Sequence, residues 1–429
     1  MRHMSPRARG LAAASTAAAA ALALTACAGG SAGGSAGGGS SENVTLSYAI
    51  WDQNQQPAMQ KIADAFHKEH PNVTVKIQLT PNKEYWTKLQ TAVSGGSGPD
   101  VFWMNGPHIQ LYASNGVLAP LDDQKVPTAD YPKSLVELYT YDGKLYGAPK
   151  DFDTIGVWYN KALFDAAGVA YPKAGWTWQD MADTAAKLTD KAKGVYGIAA
   201  SQYSQENYYD SIPQAGGYVI SPDHKKTGYG SPEALKGIEY WVDLIKAGSS
   251  PTAQQMTDTA PEDMFLSGKV AMLQTGSWAA IGYAQNADIA DKVNVAPLPA
   301  GPAGNQSVIH GLANVANAKS AHVAEAKQFA AFASGKQASQ IQADTGTVIP
   351  AYNGTQDAWV KSMPKYDLHY YIDAVKDAVP YPVSKNTSVW TQDETDILSQ
   401  VWAGTLAPAA GMKQLADKMQ AALDAEQKK

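Results

Sequence analysis

Residues Val44–Leu79 read VTLSYAIWDQNQQPAMQKIADAFHKEHPNVTVKIQL, and the order of periodicities in this stretch decides the fold. Val44 to Trp51 has the β-branched and aromatic make-up of a strand. From Pro57 to His70, Pro sits near the first turn and Met59, Ile62, Ala63 and Phe66 recur on one helical face. Val73, Val75, Ile77 and Leu79 then alternate with polar residues, which predicts a second strand. Strand, helix, strand is a βαβ unit, and a right-handed crossover makes the two strands parallel.

Outward from this unit the alternation continues. A helix through Tyr85 to Val93 and a buried strand Val101 to Trp103 follow. A second α/β region begins after about Gly156. There Thr177-x-x-Asp180 has the form of a capping box, and Ser231-Pro232-Glu233 opens a helix with Leu235, Ile238, Val242 and Ile245 inward. Val270 to Leu273 and Val293 to Ala296 are its later strands. Pro297 to Gly304 reads as a linker; a short strand at Ala313 to Ala316 and a helix Val323 to Phe332 capped by Ser320 come next. The tail from about Asp357 reads as largely helical and ends with Met412, Leu415, Ala416, Met419 and Leu423 at helical spacing. There is no internal repeat, and periodicity alone predicts two α/β lobes.

The N-terminus predicts the compartment. Arg2, Arg7 and Arg9 precede an Ala/Leu run, Leu11 to Leu24, too short to span a bilayer as a helix. The run ends in Leu24-Thr25-Ala26-Cys27, which resembles a bacterial lipobox: residues 1–26 would be a lipoprotein signal peptide and Cys27 the lipidated residue. Cys27 is the single cysteine, so no intrachain disulfide can form. Residues 27–41 continue as a Gly/Ser tether. Its 14 residues after Cys27 would span about 20 Å.

Composition narrows the function. The chain has 429 residues, 34 basic and 40 acidic, with 45% hydrophobic content, so it is a folded, core-burying protein and not a disordered one. The net charge of −6 becomes −9 once the three leader arginines are set aside, which argues against nucleic acid as a partner. No Arg occurs after Arg9, so a site built on bidentate Arg clamps for an anionic solute is disfavoured. The 11 Trp and 22 Tyr outweigh 7 Phe, a bias towards rings with a polar handle at wet surfaces or in a polar ligand site.

Catalytic and metal motifs are absent. Gly95-Gly96-Ser97-Gly98 is not G-x-S-x-G, and neither Gly268-Lys269 nor Gly335-Lys336 completes a phosphate-binding loop. His67-Lys68-Glu69-His70 has the wrong order for a helical zinc motif and reads as a solvated helix end, so no metal and no cofactor is expected. Asp151 and Asp153 would share a face of an extended segment, which leaves a glycosidase pair as one alternative and a turn at a chain crossing as the other.

The segments Gly98-Pro99-Asp100-Val101-Phe102-Trp103, Asp153 through Lys161, Gly276-Ser277-Trp278 and Gly311 through Lys319 resemble, in order and spacing, extracellular solute-binding protein family 1. This family is maltose-binding-protein-like and includes saccharide-binding lipoproteins of ABC importers. The resemblance implies an α/β, two-lobe periplasmic-binding-protein-like fold with a multi-segment hinge and an interlobe ligand cleft. One lobe would be residues 42–151 plus 310–353 and the other 156–304 plus 356–429. The chain would cross near 151–156, 299–310 and 350–353.

Strand polarity independently points to a site, because ligands of open α/β sheets sit beyond the carboxyl ends of strands. Trp51, Asp52, Trp103 and Asn105 lie at such ends, whereas Asp100 lies at the opposite end and reads as structural. Gly276, Ser277 and Trp278 follow a strand and open a helix, where backbone N–H groups and an indole can meet a polar ligand. The resemblance adds Glu84, beside Tyr85, as a polar contact, Asp153 as the main ligand-binding acid, and Trp390 as a stacking aromatic. It also places an aromatic contact among Asn207, Tyr208 and Tyr209, which the sequence does not separate.

Flat aromatics for the apolar faces of sugar rings and carboxylates or amides for their hydroxyls fit a saccharide. The expectation is a non-enzymatic, monomeric substrate-binding lipoprotein on the extracytoplasmic face of the cell membrane. It would capture a saccharide, an oligosaccharide by expectation, and deliver it to ABC permease subunits. The rivals are a secreted glycoside hydrolase using Asp151 and Asp153, a binder of another neutral polar solute, and an adhesin or scaffold lipoprotein.

Overall fold

The computed structural model describes residues 43–428. The signal peptide, Cys27 and the tether lie outside the described residues. In chain order the strands of the two main sheets are β1 (Val44–Ile50), β2 (Val73–Leu79), β3 (Val101–Asn105), β4 (Gly147–Pro149), β5 (Ile155–Asn160), β6 (Tyr196–Ile198), β7 (Val270–Gly276), β8 (Val293–Ala296) and β9 (Leu312–Ala316). The first sheet has the order β2-β1-β3-β9-β4 and the second β8-β5-β7-β6, one sheet to each α/β lobe.

The opening unit folds as its periodicity predicts. β1 pairs in parallel with β2, Val44 opposite Val73, and with β3 on its other side. Helix Gln56–Glu69 crosses between them and buries Met59, Ile62, Ala63 and Phe66. β9 returns antiparallel to β3, with Asn314 opposite Trp103. The strand predicted to stop at Trp103 runs on to Asn105, and the next helix begins at once at Gly106. In the second lobe Thr177 and Asp180 form the capping box and Ser231 caps its helix, both as expected.

Three short crossings lie side by side between the sheets. Asp151–Phe152 pairs antiparallel with Ile349–Pro350, Asp153 bridges to His310, and Val308–Ile309 runs parallel with Val379–Pro380. These narrow pairings are the multi-segment hinge of the fold. Two sequence expectations change here. Pro297–Gly304 is fastened down, because Trp176 donates its indole N–H to the Pro297 carbonyl at 2.8 Å and Ala300 bridges to Thr177. Ser320 does not cap helix Val323–Phe332 directly; its hydroxyl donates to Asp100 at 2.6 Å and accepts from the His322 N–H at 3.0 Å. Asp100 also accepts from the Ser47 N–H and hydroxyl, so it ties β1 to the far end of β3, the structural role read for it.

Candidate functional site

A cleft of about 1300 Å³ opens where both sheets end, lined from the first lobe by Trp51, Asp52, Trp86 and Asn105 and from the second by Tyr203, Glu206, Ser277 and Trp278. Asp153 and His310 line it where the chain crosses. Trp51 and Asp52 follow β1, Asn105 ends β3, and Ser277 follows β7, so strand polarity predicts the location.

On the first wall the aromatic rings fix one another. Trp51 meets Trp103 edge-on at 5.1 Å and Tyr85 at 4.8 Å. Trp86 stacks flat on His108 at 3.6 Å. Burial pushes the His108 imidazole down to about 4, so at neutral pH it is uncharged, and its Nδ1 lies 2.7 Å from Asn105 Oδ1. Asp52 accepts from the Asn54 N–H and from Gln55 Nε2, each at 2.9 Å. Gln55 Oε1 in turn accepts from Lys150 Nζ at 2.8 Å. Lys150 is fully buried, pairs with Asp151 and lies 4.4 Å over the Trp103 ring.

Asp153 sits at the centre. Gln205 donates to its Oδ1, while Oδ2 faces His310 Nδ1 at 3.9 Å, beyond hydrogen-bond distance. His310 Nε2 accepts the Gly106 N–H at 3.2 Å, which puts the ring proton on Nδ1, towards Asp153. Burial drives His310 down to about 3, so this contact is carboxyl to neutral imidazole and not an ion pair. Burial, and then the charges of Asp151 and Glu206, hold Asp153 well above the usual carboxylate range.

On the second wall Ser204–Tyr208 forms a π-helical turn, a wide turn frequent at functional sites. It turns Gln205 and Glu206 to the cleft. Glu206 accepts from the Thr275 hydroxyl at 2.6 Å, and burial raises its carboxyl to about 8. Trp278, half-buried, starts helix Ala279–Gln285. Gly276 does not line the cleft, but a Cβ there would meet the Trp278 ring at 1.9 Å, so glycine is what lets the indole fold back over the strand end. The Ser277 N–H is directed to the Thr154 carbonyl at 3.3 Å, so it is spent inside the protein.

Of the residues singled out from sequence, the structure brings Trp51, Asp52, Asn105, Asp153, Ser277 and Trp278 together around one cavity. It places the others elsewhere. Glu84 points to solvent and pairs with Lys88 one turn on, at 2.5 Å. Trp103 is fully enclosed, because alternation along β3 turns it into the core, where its indole donates to Tyr48 at 2.6 Å. Tyr208 and Tyr209 both donate to the buried Glu394, at 3.3 and 2.8 Å. Trp390 is enclosed under its own helix, its N–H on Ser384 at 2.9 Å. Asn207, the third of that triplet, is also buried.

Asp151 is no free acid for catalysis. One oxygen takes the Lys150 ammonium and the other the Leu312 N–H at 2.8 Å, so the hydrolase pair of the sequence reading falls away. Sequence reasoning missed Trp86, Tyr203, Gln205, Glu206, His310 and Tyr381, which all line the cleft. Tyr203, Gln205 and Glu206 immediately precede the triplet Asn207, Tyr208 and Tyr209, and the wide turn Ser204–Tyr208, which no periodicity reveals, brings them to the cleft in its place.

The family profile described as bacterial extracellular solute-binding protein matches residues 51–340, and the chain belongs to this family. A solved ABC substrate-binding protein of Listeria monocytogenes in complex with cycloalternan superposes with a TM-score of 0.82 at 27% identity, over 89% of this chain and 100% of that one. Among curated proteins, a binding protein of Brucella abortus is 27% identical over 272 residues, 61% of this chain and 64% of that protein. The maltotriose-binding protein of Pyrococcus abyssi is 28% identical over 258 residues, 58% of this chain and 53% of that protein. The matched region thus spans less than two thirds of the length of these relatives. The family and these neighbours bind solutes; they are not described as enzymes.

Proposed function

We propose that this protein captures a saccharide between its lobes, closes on it and hands it to the permease of an ABC importer, acting outside the cytoplasm. The observation that carries this reading is the pairing, in one cleft, of part-exposed indoles at Trp51, Trp86 and Trp278 with polar groups at Asp52, Asn105, Asp153 and Gln205. Indoles cover the apolar faces of sugar rings; carboxyls and amides take the hydroxyls at their edges. The lobes on this reading are residues 42–151 plus 310–353 and 156–304 plus 356–429. A ligand touching both walls gains most in the closed state, which is what drives closure. The protein acts as a monomer, and its membrane attachment is the lipid on Cys27; loss of palmitate labelling in Cys27→Ser tests that anchor.

The function is tested by a thermal-shift screen over mono- and oligosaccharides, followed by calorimetric titration of the best ligand. Asp153→Asn keeps the shape but weakens charge-assisted hydrogen bonds, an expected loss of about 1.5 to 3 kcal/mol, or roughly 10- to 150-fold in Kd. Wild-type affinity in that variant would remove Asp153 from the site, and a screen with no saccharide hit would refute the reading.

A further inference from the structure

The acids of the cleft outnumber the cations that could pair with them. Asp52, Asp151, Asp153, Glu206 and Glu262 line it, and among the described residues the only lysine on its wall is Lys246. Lys246 is taken by Asp243 at 3.1 Å, and Lys150, fully buried, is taken by Asp151 and Gln55. His310 is uncharged, and the chain has no arginine after Arg9. Asp153, to which Gln205 donates, and Glu206, the next residue on, therefore feel each other's charge, and the one lysine that also acts on Asp153, Lys150, is already held by Asp151. Each also has an oxygen to spare: Gln205 serves one oxygen of Asp153, and Thr275 one of Glu206.

We propose that the cleft selects saccharides bearing a free amine, with the ammonium seated between Asp153 and Glu206. The inference rests on the saccharide reading and names the class of sugar. A hydroxyl can satisfy one spare oxygen, but it brings no charge, so ionising either acid stays unfavourable. An ammonium offers three donors and the missing positive charge, and inside a partly desolvated cleft that attraction is strong. The groups around the pair do not supply a substitute: they are Asp151, Glu262, Thr275, the phenols of Tyr203, Tyr283 and Tyr381, neutral His310, and Lys150, which Asp151 already holds. The same arrangement offers no free cation to uronic acids and other anionic sugars.

The test titrates three probes into the full chain by calorimetry: a glucosamine tetramer, its fully N-acetylated counterpart and maltotetraose. At low salt the free amine should bind at least about tenfold more tightly than its acetylated twin, and the preference should shrink as salt screens the charges. Glu206→Gln, which keeps shape and the Thr275 hydrogen bond, should bring the two within about threefold, and Asp153→Asn should do the same by an independent change. Equal or tighter binding of the acetylated sugar or of maltotetraose overturns the amine preference and leaves the saccharide reading standing. A preference that survives in both variants overturns the seat assigned to the ammonium. Silence from all three probes and from the wider saccharide screen overturns both readings.

Discussion

Glu394 and Glu206 are two carboxyl groups of the same lobe, both taken out of bulk water and held in opposite ways. Glu394 is enclosed and accepts from three phenols, Tyr208, Tyr209 and Tyr229. Glu206 faces the cleft with a single donor, Thr275. Burial raises both, Glu394 to about 7 and Glu206 to about 8, so the shift alone does not tell a structural acid from a functional one. Satisfaction does. A carboxyl whose oxygens are all used holds the core together, and one left short of donors beside a cavity is available to a ligand.

The comparison breaks most visibly at Glu394. Replacing it with Ala leaves three buried phenolic hydroxyls without their acceptor, each costing about 1 to 3 kcal/mol, so Glu394→Ala should lose at least about 3 kcal/mol of stability. Urea unfolding measures this. A loss within about 1 kcal/mol would mean that the phenols find other acceptors and that the network is not a support of the core. Ligand affinity per folded molecule should be unchanged, because none of the four residues lines the cleft.

A smaller effect sharpens the same contrast through pH. Glu394 and Glu206 are raised from 4.5 to about 7 and about 8, so between those values the folded chain holds more protons than the unfolded one. Stability then falls as pH rises through this window. His108 and His310 act the other way, since both are held below 6.5 and the unfolded chain binds their protons first, but that gain tails off above 6.5 and is complete by about pH 7.5. From pH 6.5 to 8 the carboxyls outweigh the fading histidine term, and the melting temperature should decline. Glu206→Gln should remove part of that decline, on the order of 1 to 2 kcal/mol. A melting temperature that rises across this range would contradict the assignment.

The contrast also shows what is legible in a sequence. Alternation gave β1, β2 and the helix between them, and strand polarity placed Trp51, Asp52 and Asn105 at the cleft, because both follow from local period and chain direction. Asp153 came from motif spacing within the family, and Trp278 from its place between a strand and a helix. Trp103 and Trp390 failed because a Trp at a strand end or on a helix is equally suited to a core, and only tertiary packing decides. Tyr208 and Tyr209 failed through a one-turn offset: the π-helical turn adds a residue that 3.6-residue periodicity does not register. Glu394, 185 residues beyond Tyr209, could not be linked to the phenols by any local signal.

The smallest expected effect is at Glu84, and it separates resemblance from geometry. Family spacing makes Glu84 a polar ligand contact, yet it lies in the first turn of helix Asn82–Ser94, more than half exposed and paired with Lys88 at 2.5 Å. The Lys88 hydrogen bond and charge lower its carboxyl below the ordinary value, which is what an exposed i,i+4 pair does without any ligand. Its neighbour Trp86 lines the cleft in its place. Glu84→Gln removes an exposed ion pair of the kind that contributes little, so the sugar Kd should stay within about twofold of wild type. Trp86→Ala, assayed alongside, should weaken binding through lost stacking. A tenfold loss in Glu84→Gln with Trp86→Ala unaffected would mean that lobe closure carries this helix over the ligand by its exposed edge, and would reverse the roles given to these two residues.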